Sequence, residues 1–142
     1  MMVEMVVQAI TRDERSNSVV LLKEKEGARA VPIMIGPWEA QAIACHLQGL
    51  QPQRPLTHDL MLDIVQQLDF KVARVLVNDL RERVFYALLV LVNNGREEQV
   101  DARPSDAIAL AVRAGAPIYV AEKIIAEAGS SGLAEAQTDV TH

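Results

Sequence analysis

Side chains of the types that catalyse reactions or bind ions gather at four places in this 142-residue chain. Each place lies where the predicted secondary structure changes, at a helix start or a strand end. The four groups are Glu39; Thr57, His58 and Asp59; Asn78 and Asp79; and Asp101, Arg103, Ser105 and Asp106. If these corners meet in the fold, they form a pocket with several carboxylates, one imidazole and one guanidinium.

Such a pocket has the groups needed for chemistry on a phosphate. Carboxylate oxygens are the ligands that hard divalent cations prefer. A bound cation activates water and stabilises the charge that develops on a phosphoryl group. Arg103 can bind a phosphate through two parallel hydrogen bonds, and the free N–H groups at the start of the helix after it favour anions.

Each of these residues also has a structural interpretation. Acidic residues in a first helical turn complement the helix dipole, as Glu39, Asp59 and Asp106 would. Thr57 is a good N-cap, Asn78-Asp79 suits a turn, and His58 can hydrogen-bond locally. Asp101 and Arg103 can form a plain ion pair. The sequence has no HExxH motif and no glycine-rich phosphate loop, so spacing alone leaves both interpretations open.

The elements that would position these residues alternate between strands and helices. Apolar runs bounded by turn residues predict strands at 2–11, 18–25, 28–35, 71–80, 84–92, 96–102 and 117–120. Pro32 favours an edge position for the third strand, and the continuously apolar run 84–92 predicts a central one. Helices are predicted after Pro37, after Thr57, over 104–114 and from Ala121. On the second helix the predicted buried stripe is Met61, Ile64, Val65 and Leu68.

Two of the helix starts resemble each other. PWEAQAIA (37–44) and PSDAIALA (104–111) share the pattern Pro, any residue, acid, Ala, any residue, Ala, aliphatic, Ala. We expect two similar strand-to-helix corners whose alanine faces allow close packing, although helix-start chemistry alone also favours proline followed by an acid. Trp38 is interpreted as an anchor between elements or subunits, and Cys45 as a small core residue.

Composition limits the class of protein. Half of the residues are hydrophobic, which supports one α+β domain over 1–129, and the polar segment 130–142 is expected to be a disordered tail. With 14 basic and 19 acidic residues the net charge is −5, which argues against a broad basic surface for nucleic acid. The single cysteine and the absence of a leader or a membrane span favour a cytoplasmic protein.

Four stretches resemble the bifunctional nuclease domain family: RPLTHDL (54–60), NDL (78–80), FYALLVL (85–91) and DARPSDAIALAVRAGAPIYV (101–120). IGPWEAQAIA (35–44) is similar to that family's first helix corner, and the resemblance covers about residues 3–128. It implies an α+β fold with a mixed, largely antiparallel sheet, helices packed against it, and a homodimer. It also implies nuclease activity on RNA and DNA.

On that resemblance we assign roles to the residues of the matching motifs. His58, Asp101, Arg103 and Asp106 are the predicted catalytic residues, with His58 as general acid or base. Arg103, Ser105 and Thr57 would bind substrate. Mg²⁺ or Mn²⁺ would be held by Asp101 and Asp106, with Asp59 or Asp79. The alternative is a non-catalytic oligomeric binding or regulatory domain in which these motifs are structural corners.

Overall fold

The structure is a computed structural model that describes residues 1–130, which form a seven-stranded sheet and four helices. The elements in chain order are β1 (Met2–Arg12), β2 (Ser18–Glu24), β3 (Ala30–Ile35), α1 (Pro37–Leu47), α2 (Thr57–Gln67), β4 (Lys71–Arg81), β5 (Val84–Asn93), β6 (Arg96–Ala102), α3 (Pro104–Ala114), β7 (Ile118–Ala121) and α4 (Glu122–Ala128). The predicted α+β class is confirmed, as is the mixed, largely antiparallel sheet.

The sheet consists of two antiparallel meanders joined at its centre by a short strand. Its order is β3-β2-β1-β7-β4-β5-β6. The four-residue strand β7 pairs antiparallel with β1 and parallel with β4. The run 84–92 forms β5, which is an interior strand paired with β4 and β6, although β7 and not β5 occupies the middle of the sheet. Pro32 does lie in an edge strand, where its missing N–H disturbs no ladder.

Helix α3 is the buried centre of the helical layer. It packs on β4 and β5 and is flanked by α1 and α2. Ile108 and Leu110 are fully buried within a core that both meanders share. Pro104 occupies the first helical turn, and Gly115, with φ of 69°, ends the helix in the left-handed conformation that glycine adopts readily.

The buried face of α2 differs from the predicted stripe. His58, Met61 and Val65 face the core, whereas Ile64 and Leu68 are 50% and 65% exposed. The apolar residues of α2 cover more than one face, so periodicity did not decide which face packs against α3. An exposed row four residues apart remains on the outer face of α2: Leu56, Leu60, Ile64 and Leu68.

The described chain ends against the first meander. Ser130 exchanges backbone hydrogen bonds with Ala30 at 2.9 and 3.1 Å. The predicted disordered tail therefore begins with a residue that pairs with β3, and its remainder, 131–142, lies outside the described residues. Within residues 1–130, none of the helices is long and apolar enough to span a membrane.

Candidate functional site

Three helices begin at the rim of one cleft of about 780 Å³. The first residues of α1, the segment leading into α2 and the first turn of α3 all contribute side chains to it. Its lining residues are Trp38, Glu39, Gln41, Ala42, Cys45, Pro55, Leu56, Thr57, His58, Leu60, Met61, Arg103 and Asp106. Each helix N-terminus carries a partial positive charge, and the carboxylates of Glu39 and Asp106 in the first turns of α1 and α3 lie in the same cleft.

Asp106 links the histidine and the arginine that line this cleft. Its Oδ1 is 2.9 Å from His58 Nε2, and its Oδ2 accepts a hydrogen bond of 2.9 Å from Arg103 Nε. The His58 side chain is 8% exposed, whereas that of Arg103 is 65% exposed. A buried imidazole is thus oriented by a carboxylate, while a guanidinium beside it remains accessible to a ligand.

The two similar helix starts meet at Arg103. Glu39 and Asp106 occupy the same position of their shared pattern, each in the first turn after a proline. Glu39 Oε2 lies 3.3 Å from Arg103 Nη2, so both acids bind the same guanidinium. Helices α1 and α3 are also in contact. The expectation of two similar corners that pack together is confirmed.

The environment keeps Asp106 ionised. Partial burial raises the pKa of its carboxyl group, but the hydrogen bonds from Arg103 and His58 and the charge of Arg103 outweigh burial. The net result is a pKa below the ordinary value of an aspartate. An ionised Asp106 at neutral pH can orient the His58 ring through their hydrogen bond.

Arg113 holds the three helices together behind the cleft. Its side chain is 5% exposed and donates to Asp59 Oδ1 on α2 at 2.8 Å, to the Ala42 carbonyl on α1 at 3.1 Å and to the Ala109 carbonyl on α3 at 3.0 Å. One of these bonds holds Asp59, the residue that follows His58 in α2. Sequence reasoning missed this role, although an arginine at the end of an apolar helix needs a buried partner.

Asp59 belongs to this structural link and to the start of α2. Its Oδ2 accepts a hydrogen bond of 3.0 Å from Leu56 N. The N-cap of α2 is Leu56, so the prediction that Thr57 caps the helix is off by one residue. Thr57 is instead the first helical residue and lines the cleft. The hydrogen bonds from Arg113 and from Leu56 N lower the pKa of Asp59.

The other predicted site residues lie apart from the cleft lining. Asp101 is opposite Leu88, and the next pair, Ala102 and Ala87, faces the core under α3. Because alternate strand residues face opposite sides, Asp101 projects from the other face of the sheet. Asp79 contacts Arg81 Nε at 2.9 Å and Lys123 Nζ at 3.5 Å. Ser105 is 4% exposed in the first turn of α3.

The four aspartates predicted to bind a metal are therefore not brought together. Both oxygens of Asp59 and both oxygens of Asp106 already accept hydrogen bonds, and Asp79 and Asp101 lie elsewhere on the sheet. Over residues 1–130 the structure contains no cluster of three or more histidine, cysteine or acidic side chains suited to a metal ion. These residues do not fit a metal site built from protein ligands alone.

Comparison with known proteins identifies the family of this chain. The model of the bifunctional nuclease domain matches residues 20–132, which include every residue of the cleft. The chain belongs to the bifunctional nuclease domain family. An uncharacterized protein of Mycobacterium tuberculosis is 47% identical over 115 residues, which are 81% of this chain and 68% of that protein.

Plant members of the bifunctional nuclease domain family are more distant and longer. Bifunctional nuclease 1 of Oryza sativa subsp. japonica is 26% identical over 117 residues, covering 80% of this chain and 35% of the plant protein. Bifunctional nuclease 2 of Arabidopsis thaliana is 29% identical over 108 residues, covering 73% and 33%. The chain thus spans about a third of the length of these plant relatives.

Proposed function

We propose that this protein hydrolyses phosphodiester bonds of RNA and DNA, with His58, Asp106 and Arg103 acting together in the cleft. The observation that carries the proposal is the continuous contact from His58 Nε2 through both oxygens of Asp106 to Arg103 Nε, each step 2.9 Å long. Membership of a nuclease-named family supports the same activity. A base, its orienting carboxylate and a phosphate-binding cation are the groups this reaction needs.

In the proposed reaction His58 is the general base. It takes a proton from a water whose oxygen attacks the phosphorus, while Asp106 orients the ring and stabilises the charge it gains. Arg103 donates hydrogen bonds to the non-bridging oxygens, where negative charge increases in the transition state. The bond from phosphorus to the leaving oxygen breaks, and that oxygen takes a proton from solvent. The products are a phosphomonoester and a free hydroxyl group.

Metal assistance remains a separate part of the proposal. Mg²⁺ is often bound by one or two carboxylates together with substrate phosphates. Glu39 and Asp106, which share Arg103, are the carboxylates placed to contribute in that way, although both Asp106 oxygens and Oε2 of Glu39 already accept hydrogen bonds. None of the steps above depends on the ion. Assays with Mg²⁺, Mn²⁺ and EDTA decide whether one is needed.

A second candidate function, an oligomeric binding domain, is favoured by the outer face of α2. Ile64 and Leu68, the exposed members of the row that do not line the cleft, form an apolar stripe of the kind found at protein interfaces. We propose that this stripe joins two copies in a homodimer. Light scattering at micromolar concentration should give twice the chain mass of 15.6 kDa for the wild type. The Ile64→Lys variant should give the mass of a single chain. A wild-type monomer would contradict this proposal.

The nuclease proposal is tested by cleavage of labelled RNA and plasmid DNA. His58→Ala and Arg103→Ala should each lower the rate about 100-fold or more, the range for a lost general base or a lost transition-state donor. Asp63→Asn, an exposed change on the same helix as His58, is the matched control and should cut normally. Asp101→Asn tests the role predicted for that residue from sequence. Equal cleavage by the wild type and both site variants would reject the proposal.

A further inference from the structure

The only tryptophan of the sequence is exposed beside the proposed phosphate-binding arginine. Trp38 is 77% exposed, although an indole is large and mostly apolar. It lies in the first turn of α1 and lines the same cleft as Arg103 and His58. Its neighbour in the chain, Glu39, accepts a hydrogen bond from Arg103.

The rest of the cleft near Trp38 is largely apolar. Pro55, Leu56, Leu60 and Met61 line it from the side of α2. Leu56 and Leu60 are each 51% exposed, so these side chains leave apolar surface available to a ligand. The cleft therefore combines a flat aromatic group and an apolar wall with Arg103, an accessible cation that Glu39 and Asp106 hold in place. A nucleotide has the matching parts, namely a flat base and an anionic phosphate.

We propose that the cleft binds single-stranded nucleic acid, with an unpaired base stacked on Trp38 and the adjoining phosphate on Arg103. This inference rests on the proposed nuclease function and names its substrate class. Aromatic stacking suits unpaired bases of any sequence, whereas bases inside a duplex have no free face. Duplex binding instead relies on many phosphate contacts, which a chain of net charge −5 is poorly suited to make.

The test uses the intrinsic fluorescence of the full-length protein, because Trp38 is its sole tryptophan. The probes are a short single-stranded DNA of mixed sequence, its duplex, and an abasic strand of the same length and charge. Stacking should quench the indole with the single strand and not with the abasic strand. The duplex should bind more weakly than the single strand. Equal quenching or equal affinity for all three probes would overturn the proposal.

Variants separate stacking from a general structural effect. Anisotropy of a labelled single strand should show roughly 5- to 150-fold weaker binding for Trp38→Ala, since one base–aromatic stack contributes about 1–3 kcal/mol. Trp38→Phe keeps an aromatic face and should retain most of the affinity. Leu47→Ala removes another half-exposed apolar side chain of α1, outside the cleft lining, and should bind like the wild type.

The outcomes distinguish this inference from the nuclease proposal. If Trp38→Ala binds the single strand as tightly as the wild type, the stacking proposal is wrong, whether or not the protein cleaves. If Trp38→Ala leaves affinity unchanged but lowers the mass in solution, Trp38 is a contact between copies. If the wild type cuts nothing yet binds the single strand through Trp38, the nuclease proposal fails and this inference stands.

Discussion

Replacing Arg113 by methionine should destabilise the fold strongly, because it removes the link among α1, α2 and α3. The lost interactions are one ion pair with Asp59 and two hydrogen bonds to the carbonyls of Ala42 and Ala109. Breaking a fully buried ion pair costs about 3–5 kcal/mol. Here the Asp59 side chain is 28% exposed and keeps its hydrogen bond from Leu56 N. Water and this remaining hydrogen bond therefore offset part of the loss. We expect a decrease of about 2–4 kcal/mol in the free energy of unfolding.

Urea unfolding followed by circular dichroism measures this change. Arg96→Met is the matched control, because Arg96 is 71% exposed and its ion pair with Glu98 is on the surface. Such a pair contributes about 0–1 kcal/mol. A double-mutant cycle of Arg113→Met with Asp59→Asn should give a coupling energy of about 1–3 kcal/mol. A loss at Arg113 no larger than at Arg96, or no coupling, would refute the structural role.

Two further predictions concern pH and the end of α3. The pKa of Asp59 is lowered, so the folded state binds a proton at this carboxylate less readily than the unfolded chain does. The ionised carboxylate therefore contributes fully to stability above about pH 5, and this contribution is lost as the pH falls below the pKa of an aspartate in the unfolded chain, about 3.9. Urea midpoints at neutral and acidic pH should therefore differ more in the wild type than in Asp59→Asn. Gly115→Ala should lower the free energy of unfolding by about 1 kcal/mol, because alanine adopts the φ of +69° less readily than glycine. An added Cβ meets no atom within 4 Å, so steric contact adds nothing to this cost. Gly115→Asn should lose less, measured by the same unfolding assay; equal losses would contradict this reasoning.

Local patterns predicted much of the fold because strands and helix starts have short-range chemical signals. The turn at Asn94-Gly95 is an example, since both residues adopt the positive φ values that a tight hairpin requires. The position of β7 at the sheet centre was not predictable in this way. A four-residue strand carries little periodic signal, and its neighbours β1 and β4 are distant in sequence.

Part of the candidate site follows from the spacing within one helix corner, whereas other contacts join elements that are distant in sequence. Arg103 and Asp106 are three residues apart, so their ion pair follows from helical spacing. Asp101 is only two residues from Arg103, yet strand alternation places it on the other face of the sheet. Arg113 contacts Asp59 across 54 positions, a pairing that neither segment shows alone.

The central claim, that His58 and Asp106 act as one unit, is tested most directly by a double mutant. The rate of RNA cleavage is compared for His58→Ala, Asp106→Asn and the two changes together, with folding checked by circular dichroism. Because Asp106 contacts both the His58 ring and Arg103, the loss in the double variant should be smaller than the product of the two single losses. Losses that multiply in the double variant, or single variants that cut like the wild type, would contradict the account.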